Sequence, residues 1–483
     1  MPQLFYRSLK CLSLCFCTAL FVQSYSSCTK SSPVFIGEDT TTTNPPKDTT
    51  TTPPKDTTTT PPKDTGTVKG RVFLVGTGSG SLTIDGNNFV VGGTQYTLQN
   101  ADVVKIKSGA YQEITIKNIV IANGNLVTIQ NDGLVRSGGL SLSELNNVSV
   151  SGNGTPGTDR GFIFKDIAGT PIKLTGWLSN FSLKYFYFEN ITGEVISYAN
   201  SGMVYNGTPR SYASNLSFSH IDCVNTGTLF SSAGGDTNGS RITGLLRNLE
   251  ISYVNFSNAP SVRSVVYVSN ADEYNFHHNV VNNINTAVNE HNGVFFVRGN
   301  GKFHHNMVTN HQGNVLRNWV YSHGAVPKTV EIYDNIVYNS RKYSAIEVQS
   351  FDQYISANST YVNVKAYNNT IGSLNTSRDW YGVLIDVYTL FQGKCEVFNN
   401  LAFNIQTPNG NNRFVNQQAA ATIIERNNLY YASYTDAGLK DVLQFKLNDN
   451  APVKGKGEKV GNLVDDYYGV SRNTDNPSVG AVE

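Results

Sequence analysis

Charge is the scarcest property of this sequence. Of 483 residues only 15% are charged, against about 25% in an average globular chain. The 37 basic and 36 acidic residues leave a net charge of +1, which gives no argument for nucleic acid or an acidic membrane surface as a partner. Cysteine is also scarce where a disulfide framework would need it. Four of the six cysteines fall within the first 28 residues, leaving Cys223 and Cys395 for the rest, which implies neither a disulfide scaffold nor a cysteine metal site. No stretch carries convincing amphipathic helical periodicity. Asn, Ser, Thr, Gly and Tyr fill the gap, a polar but uncharged composition that suits strands stacked edge to edge and also contact with sugars.

The first segment reads as an export signal. Arg7 and Lys10 precede an apolar run of about twelve residues, Cys11 to Val22, too short to span a bilayer but right for a signal core. It ends in Tyr25-Ser26-Ser27-Cys28, which resembles a bacterial lipoprotein signal (residues 1–28) in which Cys28 becomes the lipidated first residue. The expected location is therefore exported, either on the cell surface in the outer leaflet of a bacterial membrane or secreted. Residues 29–66 follow as a tether built on Asp-Thr-Thr-Thr-Thr and Pro-Pro-Lys repeats. Without apolar side chains it cannot form a core. Its paired prolines favour an extended stalk of about 80 Å, at ~3.1 Å per residue.

From residue 67 short β-rich runs alternate apolar and polar residues, with turns between them. A refrain then repeats: EYNFHHNVVNN, NGKFHHNMVTN, TVEIYDNIVYN, NVKAYNNTIGS, KCEVFNNLAFN and TIIERNNLYYA. Its asparagines Asn279, Asn306, Asn335, Asn369, Asn400 and Asn428 recur every 27 to 34 residues, the period of a solenoid. One coil has too little apolar surface to fold alone, but stacking pairs each strand with the coils above and below. An asparagine at the same turn of every coil can then bond to its neighbours in a ladder. The expected fold is all-β, a right-handed parallel β-helix of roughly twelve coils over 100–440, at about 25–30 residues per coil. Strands at 67–99 and a segment at 441–483 are expected to cap its ends. Coils step only ~4.8 Å, so Cys223 and Cys395 lie too far apart to bridge.

The run ADVVKIKSGAYQEITIKN, the later NNVSVSGNG and the refrain together resemble the right-handed β-helix proteins of the pectate-lyase-like superfamily. The tail LQFKLNDNAPVKGKG, ending in Ser478-Val479-Gly480-Ala481-Val482-Glu483, resembles the closing segment of secreted bacterial members. The resemblance implies fold more than activity, because the superfamily mixes lyases, hydrolases, epimerases and non-catalytic binders. Its calcium-dependent lyases gather several acids on one sheet, so Ca2+ is the cofactor it would imply. The adjacent acid pairs here, Glu38-Asp39, Asp272-Glu273 and Asp465-Asp466, do not reproduce that arrangement, and no metal site is assigned. The Asp-pair and Gly-His-Gly signatures of its pectin hydrolases are missing.

Two residue sets are candidates for chemistry. In the refrain, the residue two before each ladder asparagine runs His277, His304, Tyr333, Tyr367, Phe398, an aromatic stripe expected to face outward. The next column runs His278, His305, Asp334, Asn368, Asn399, Asn427, a polar turn column that in principle offers metal ligands. The second set lies on the strand opening each coil. If Phe295, Val297, Ile346 and Val348 point inward, Arg298, Glu347 and Gln349 point out; a one-residue register shift puts Asp386 and Tyr388 out as well. Arg317, Trp319, Tyr321 and His323 lie on the coil between. Cleavage of a uronate polymer by elimination needs a base for the proton beside the carboxylate and a cation for the developing dianion. Arg298 or Arg317 would supply charge, and His323, Lys302 or Lys342 the base. Glu347 and Asp386 are the carboxylates a hydrolase would need. Trp319, Tyr321, Tyr388, His304 and Tyr333 would bind the sugar. The expected function is a surface-anchored, monomeric, polysaccharide-interacting protein, cleaving an acidic glycan by β-elimination if it is an enzyme. The alternatives are a non-catalytic glycan-binding or adhesion protein and a structural rod.

Overall fold

A computed structural model describes residues 70–483 apart from 123, 236–240, 352–358, 406–412 and 462; Cys28, the signal and the tether lie outside the described residues. Twenty-seven strands form one continuous parallel ladder. Every pair in it joins strands, or parts of long strands, that lie one coil apart, and that is a parallel β-helix. Some strands run round corners, the longest being Ile172–Ile191.

Columns of inward side chains show how the coils stack. On one wall, here the first, successive partners run Leu82, Ile114, Leu140, Ile172, Ile196, Phe230, Val266, Phe295, Leu316, Ile346, Ile385 and Val415. Twelve rungs therefore match the roughly twelve coils expected. The second wall carries Phe73, Val104, Ile129, Val150, Leu183 and Phe218. It continues through Ile251, Phe276, Phe303, Ile332, Ala366, Val397 and finally Glu425. A third wall stacks Cys223, Phe256, Val281, Val308, Val337, Ile371 and Ala402. Burying one such side chain is worth about 1.5–3 kcal/mol, and the coil-to-coil repeat makes that gain local and additive. Cys223 and Cys395 are both buried and unbridged.

The corners explain the asparagines. Each Oδ1 of the ladder accepts hydrogen bonds from the backbone N and Nδ2 of the asparagine one coil earlier. For Asn306 to Asn335 these are both 3.0 Å, and the pattern continues to Asn428. The residue just before each ladder asparagine is left-handed, with φ from 51° to 55° at His278, His305, Asp334, Asn368, Asn399 and Asn427. Asn, Asp and His tolerate that region best, so the polar turn column is selected by backbone geometry. Two further corners carry exposed ladders that the refrain did not reveal, Asn180–Asn215–Asn248 and Asn282–Asn310–Asn339.

The segment after residue 431 packs on the side of the stack. Its Ala437, Phe445, Val453, Val479 and Ala481 form a second apolar cluster with Ile336, Leu401 and Phe403. Arg472 donates to Asp334, both fully buried, and the backbone of Glu458 bonds the side chain of Asn399. Asp334 and Asn399 of the turn column are thus held by the final segment. Among the described residues no group of three or more His, Cys, Asp or Glu is placed to hold a metal ion.

Candidate functional site

The first wall changes character halfway along. Its outward column begins Thr115, Ser141, Lys173, Ser197, Ser231 and then becomes Tyr267, Phe296, Arg317, Glu347, Asp386, Asn416. One strand position over, Arg298 pairs with Trp319 and Trp319 with Gln349. A bulge then sets Gln349 opposite Thr389, leaving Tyr388 as the extra residue, 47% exposed. The bulge lies past Asp386, which pairs with Glu347 without any shift.

Glu347 is the hub. Its Oε1 accepts from Arg317 Nε at 2.8 Å and Gln349 Nε2 at 3.0 Å, and its Oε2 lies 2.5 Å from His291 Nε2. Burial alone would push this carboxyl up, but the His291 hydrogen bond and the Arg317 charge outweigh it and hold Glu347 below the ordinary carboxylate range. Asp386, directly below it in the ladder, goes the other way. Burial raises it, and the neighbouring Glu347 charge adds to that, although Gln418 Nε2 and Asn416 Nδ2 donate to it at 2.7 and 3.0 Å. Two stacked carboxyls with opposite tendencies stand one rung apart.

A row of aromatic rings runs beside them. Tyr267 stacks on Phe296 at 5.0 Å, and the row continues through Trp319, Phe351 and Tyr388 at 6.2, 5.7 and 6.0 Å, the later rings tilted by 59° to 71°. The Arg298 guanidinium lies 4.5 Å over the Trp319 ring, a cation–π contact. Arg298 Nε has no hydrogen-bond partner among the described residues. Across the acids, Tyr343 stacks on His291 at 4.5 Å beside Trp380, and Lys342 pairs with Asp379 at 2.9 Å.

The structure therefore brings Arg298, Arg317, Trp319, Glu347, Asp386 and Tyr388 to one wall, with Glu347 and Asp386 buried, Arg298, Arg317 and Trp319 half-buried and Tyr388 exposed. It removes four other expected residues from that face. His323 is buried, with neither ring nitrogen hydrogen-bonded, and burial holds its pKa down at about 4; it is out of reach of a polymer. Tyr321 is turned inward and donates its hydroxyl to Asn270 Oδ1. His304 and Tyr333 belong to the second wall, beyond the bend at Gly299 and Gly301. There the expected outward stripe is a closed stack: His277, His304, Tyr333, Tyr367 and Phe398 lie 4.6 to 5.1 Å apart and 3° to 13° from parallel. Tyr367 and Phe398 are each only 5% exposed, and Val460, Gly461 and Leu463 line a cavity beside Tyr333, Tyr367 and Phe398. Rings that cover one another's faces leave none for a sugar.

Sequence reasoning missed His291, Tyr343, Trp380, Tyr267, Phe296 and Phe351 as neighbours of this face. Strand parity alone would have found Tyr267 and Phe296, which alternate with buried Val266, Val268, Phe295 and Val297. His291 and Trp380 lie outside the named strands, where no period points to them.

No family model matches the chain, and no curated protein matches it. Among solved structures it is similar to a PL6 family polysaccharide lyase from Pseudopedobacter saltans. The two share 12% identity at a TM-score of 0.42, over 68% of this chain and 88% of the lyase. The fold class rests on the ladder of parallel pairs itself: the chain is a parallel β-helix protein with a charged, aromatic face over its later coils.

Proposed function

We propose that this face engages an acidic polysaccharide, with uronate carboxylates on Arg298 and Arg317 and sugar rings along Trp319, Phe351 and Tyr388, and that the bound polymer is cleaved by β-elimination. The observation that carries the reading is the Arg298–Trp319 pair. A guanidinium with no carboxylate partner among the described residues, held over an aromatic ring beside an exposed tyrosine, suits a ligand that is both sugar and anion. Elimination further asks for a base. The imidazole oriented by a carboxylate on this face is His291, held by Glu347, in place of the buried His323. Signal and tether features support a lipid-anchored, exported protein whose stalk presents this face outside the cell.

A second reading, glycan binding without turnover, is favoured by one observation: Arg317 is neutralised by Glu347 and Lys342 by Asp379. Incubation with pectate, alginate and glycosaminoglycans separates the readings. Elimination yields an unsaturated product that absorbs in the ultraviolet, and His291→Ala should abolish it while retaining binding. Retardation in a glycan-containing native gel without product supports the binder. Neither signal across the panel would reject both.

A further inference from the structure

The two ends of the solenoid are finished differently. At the first coil, the hairpin of Phe89–Val91 and Thr94–Tyr96 folds over the core, with Phe89 and Tyr96 5.2 and 5.0 Å from Phe73. At the other end, the strands Val415–Gln417, Thr422–Arg426 and Leu429–Tyr431 pair only with the coil before them among the described residues. Their outer edges offer backbone donors and acceptors to any incoming strand, the situation in which folded chains pair with one another.

The column that ends there contains the unusual residue. Phe73 to Val397 on the second wall are twelve apolar side chains in succession, and the thirteenth position, at the open end, is Glu425. By strand parity it points along the core, yet at the last rung it is exposed. A neighbouring column ends in Tyr430, 38% exposed, with the Arg413 guanidinium 4.5 Å over its ring. Ile423, on the same strand, is half-buried. Without Glu425 this rung would be an apolar, strand-edged surface matching the interior of the solenoid.

We propose that Glu425 is the group that prevents a second copy of this chain from stacking on the open end of the solenoid. A further coil placed there would enclose the carboxylate in an apolar column with no partner, which disfavours association. The same side chain costs little on a free end, where water reaches it.

The test is self-association of the full chain, measured by sedimentation velocity over a range of concentrations. The unmodified chain should stay monomeric. Glu425→Val should self-associate, with a dissociation constant at least about tenfold lower than any seen for the unmodified chain. Glu425→Gln, which keeps size and polarity, should associate less than the valine variant and serves if the valine variant fails to fold. Glu396→Val, on the outer side of the preceding rung, is the control for added surface hydrophobicity and should remain monomeric. The proposal is overturned if folded Glu425→Val and Glu425→Gln both stay monomeric, or if Glu396→Val associates as strongly. Self-association of the unmodified chain through this end would overturn it equally.

Discussion

Two rows of aromatic side chains run along this solenoid, and they use the same residue types for opposite ends. On the second wall, His277 to Phe398 stack almost parallel, one per coil, and the later rings share a cavity with Val460, Gly461 and Leu463 of the final segment. On the first wall, Phe296, Trp319, Phe351 and Tyr388 tilt against one another by 59° to 71° beside Arg298, which has no carboxylate partner among the described residues. Parallel stacking spends both ring faces on neighbours, so the first kind of row stiffens the solenoid. Tilted rings do not cover one another's faces, so the second kind leaves ring surface that a ligand could meet. An aromatic stripe at solenoid spacing is therefore not by itself a binding platform. The ring orientation decides.

If this contrast is right, damage beneath the second wall should be structural. Asn335→Ala would strand the backbone N and Nδ2 of Asn306 and the carbonyl of Phe303, all buried. At about 1–3 kcal/mol per unsatisfied group, a loss of about 4 kcal/mol is expected in chemical denaturation, and a loss under about 1 kcal/mol would refute the ladder's role. Arg472→Met should follow closely. It leaves Asp334 buried without its cation, a change that costs about 3 kcal/mol or more, read by the same measurement.

On the first wall the balance should reverse. Trp319→Ala and Arg298→Ala should weaken retention on a uronate glycan by about tenfold or more, equivalent to about 1.4 kcal/mol. Tyr333→Ala should leave retention unchanged while lowering the melting temperature. Retention lost in Tyr333→Ala but kept in Trp319→Ala would exchange the roles of the two walls.

A separate effect concerns pH. Burial holds the pKa of His305 and His311 down at about 3 and that of His323 at about 4, and lowers His304 as well. Below about pH 6.5 the unfolded chain takes up protons that the folded chain refuses. Stability from these histidines is therefore present above that pH and lost as pH falls toward 4. Each buried imidazole contributes at most about 1.4 kcal/mol per pH unit. Melting temperature should fall from pH 7 to pH 4, and His311→Leu should flatten the slope. An unchanged slope in that variant would remove His311 from the account.

Much of the solenoid was legible in the chain. The asparagine refrain, the alternation of inward Val, Ile, Leu and Phe and the coil count follow from period and parity, which are local properties. Arg298, Glu347, Asp386 and Tyr388 were legible for the same reason, since a position in a ladder is a position in the sequence. Tyr321 and His323 were misjudged because the chain leaves the strand pattern after Val320, and parity says nothing of a side chain once the strand ends. His304 and Tyr333 alternate with inward Phe303 and Ile332, as their parity implies, but they lie on the second wall, to which the chain turns at Gly299 and Gly301.

By itself, then, the sequence determined the rungs: which residues recur, which side of a strand each occupies, and which corner needs an asparagine. Only the tertiary structure decided which walls are open. Covering the second wall depends on Arg472 meeting Asp334, 138 residues earlier in the chain. Building the site on the first wall depends on His291 reaching Glu347 from outside the strands. Such contacts have no period, because they join segments whose separation in sequence is set by loop length and not by the geometry of a strand.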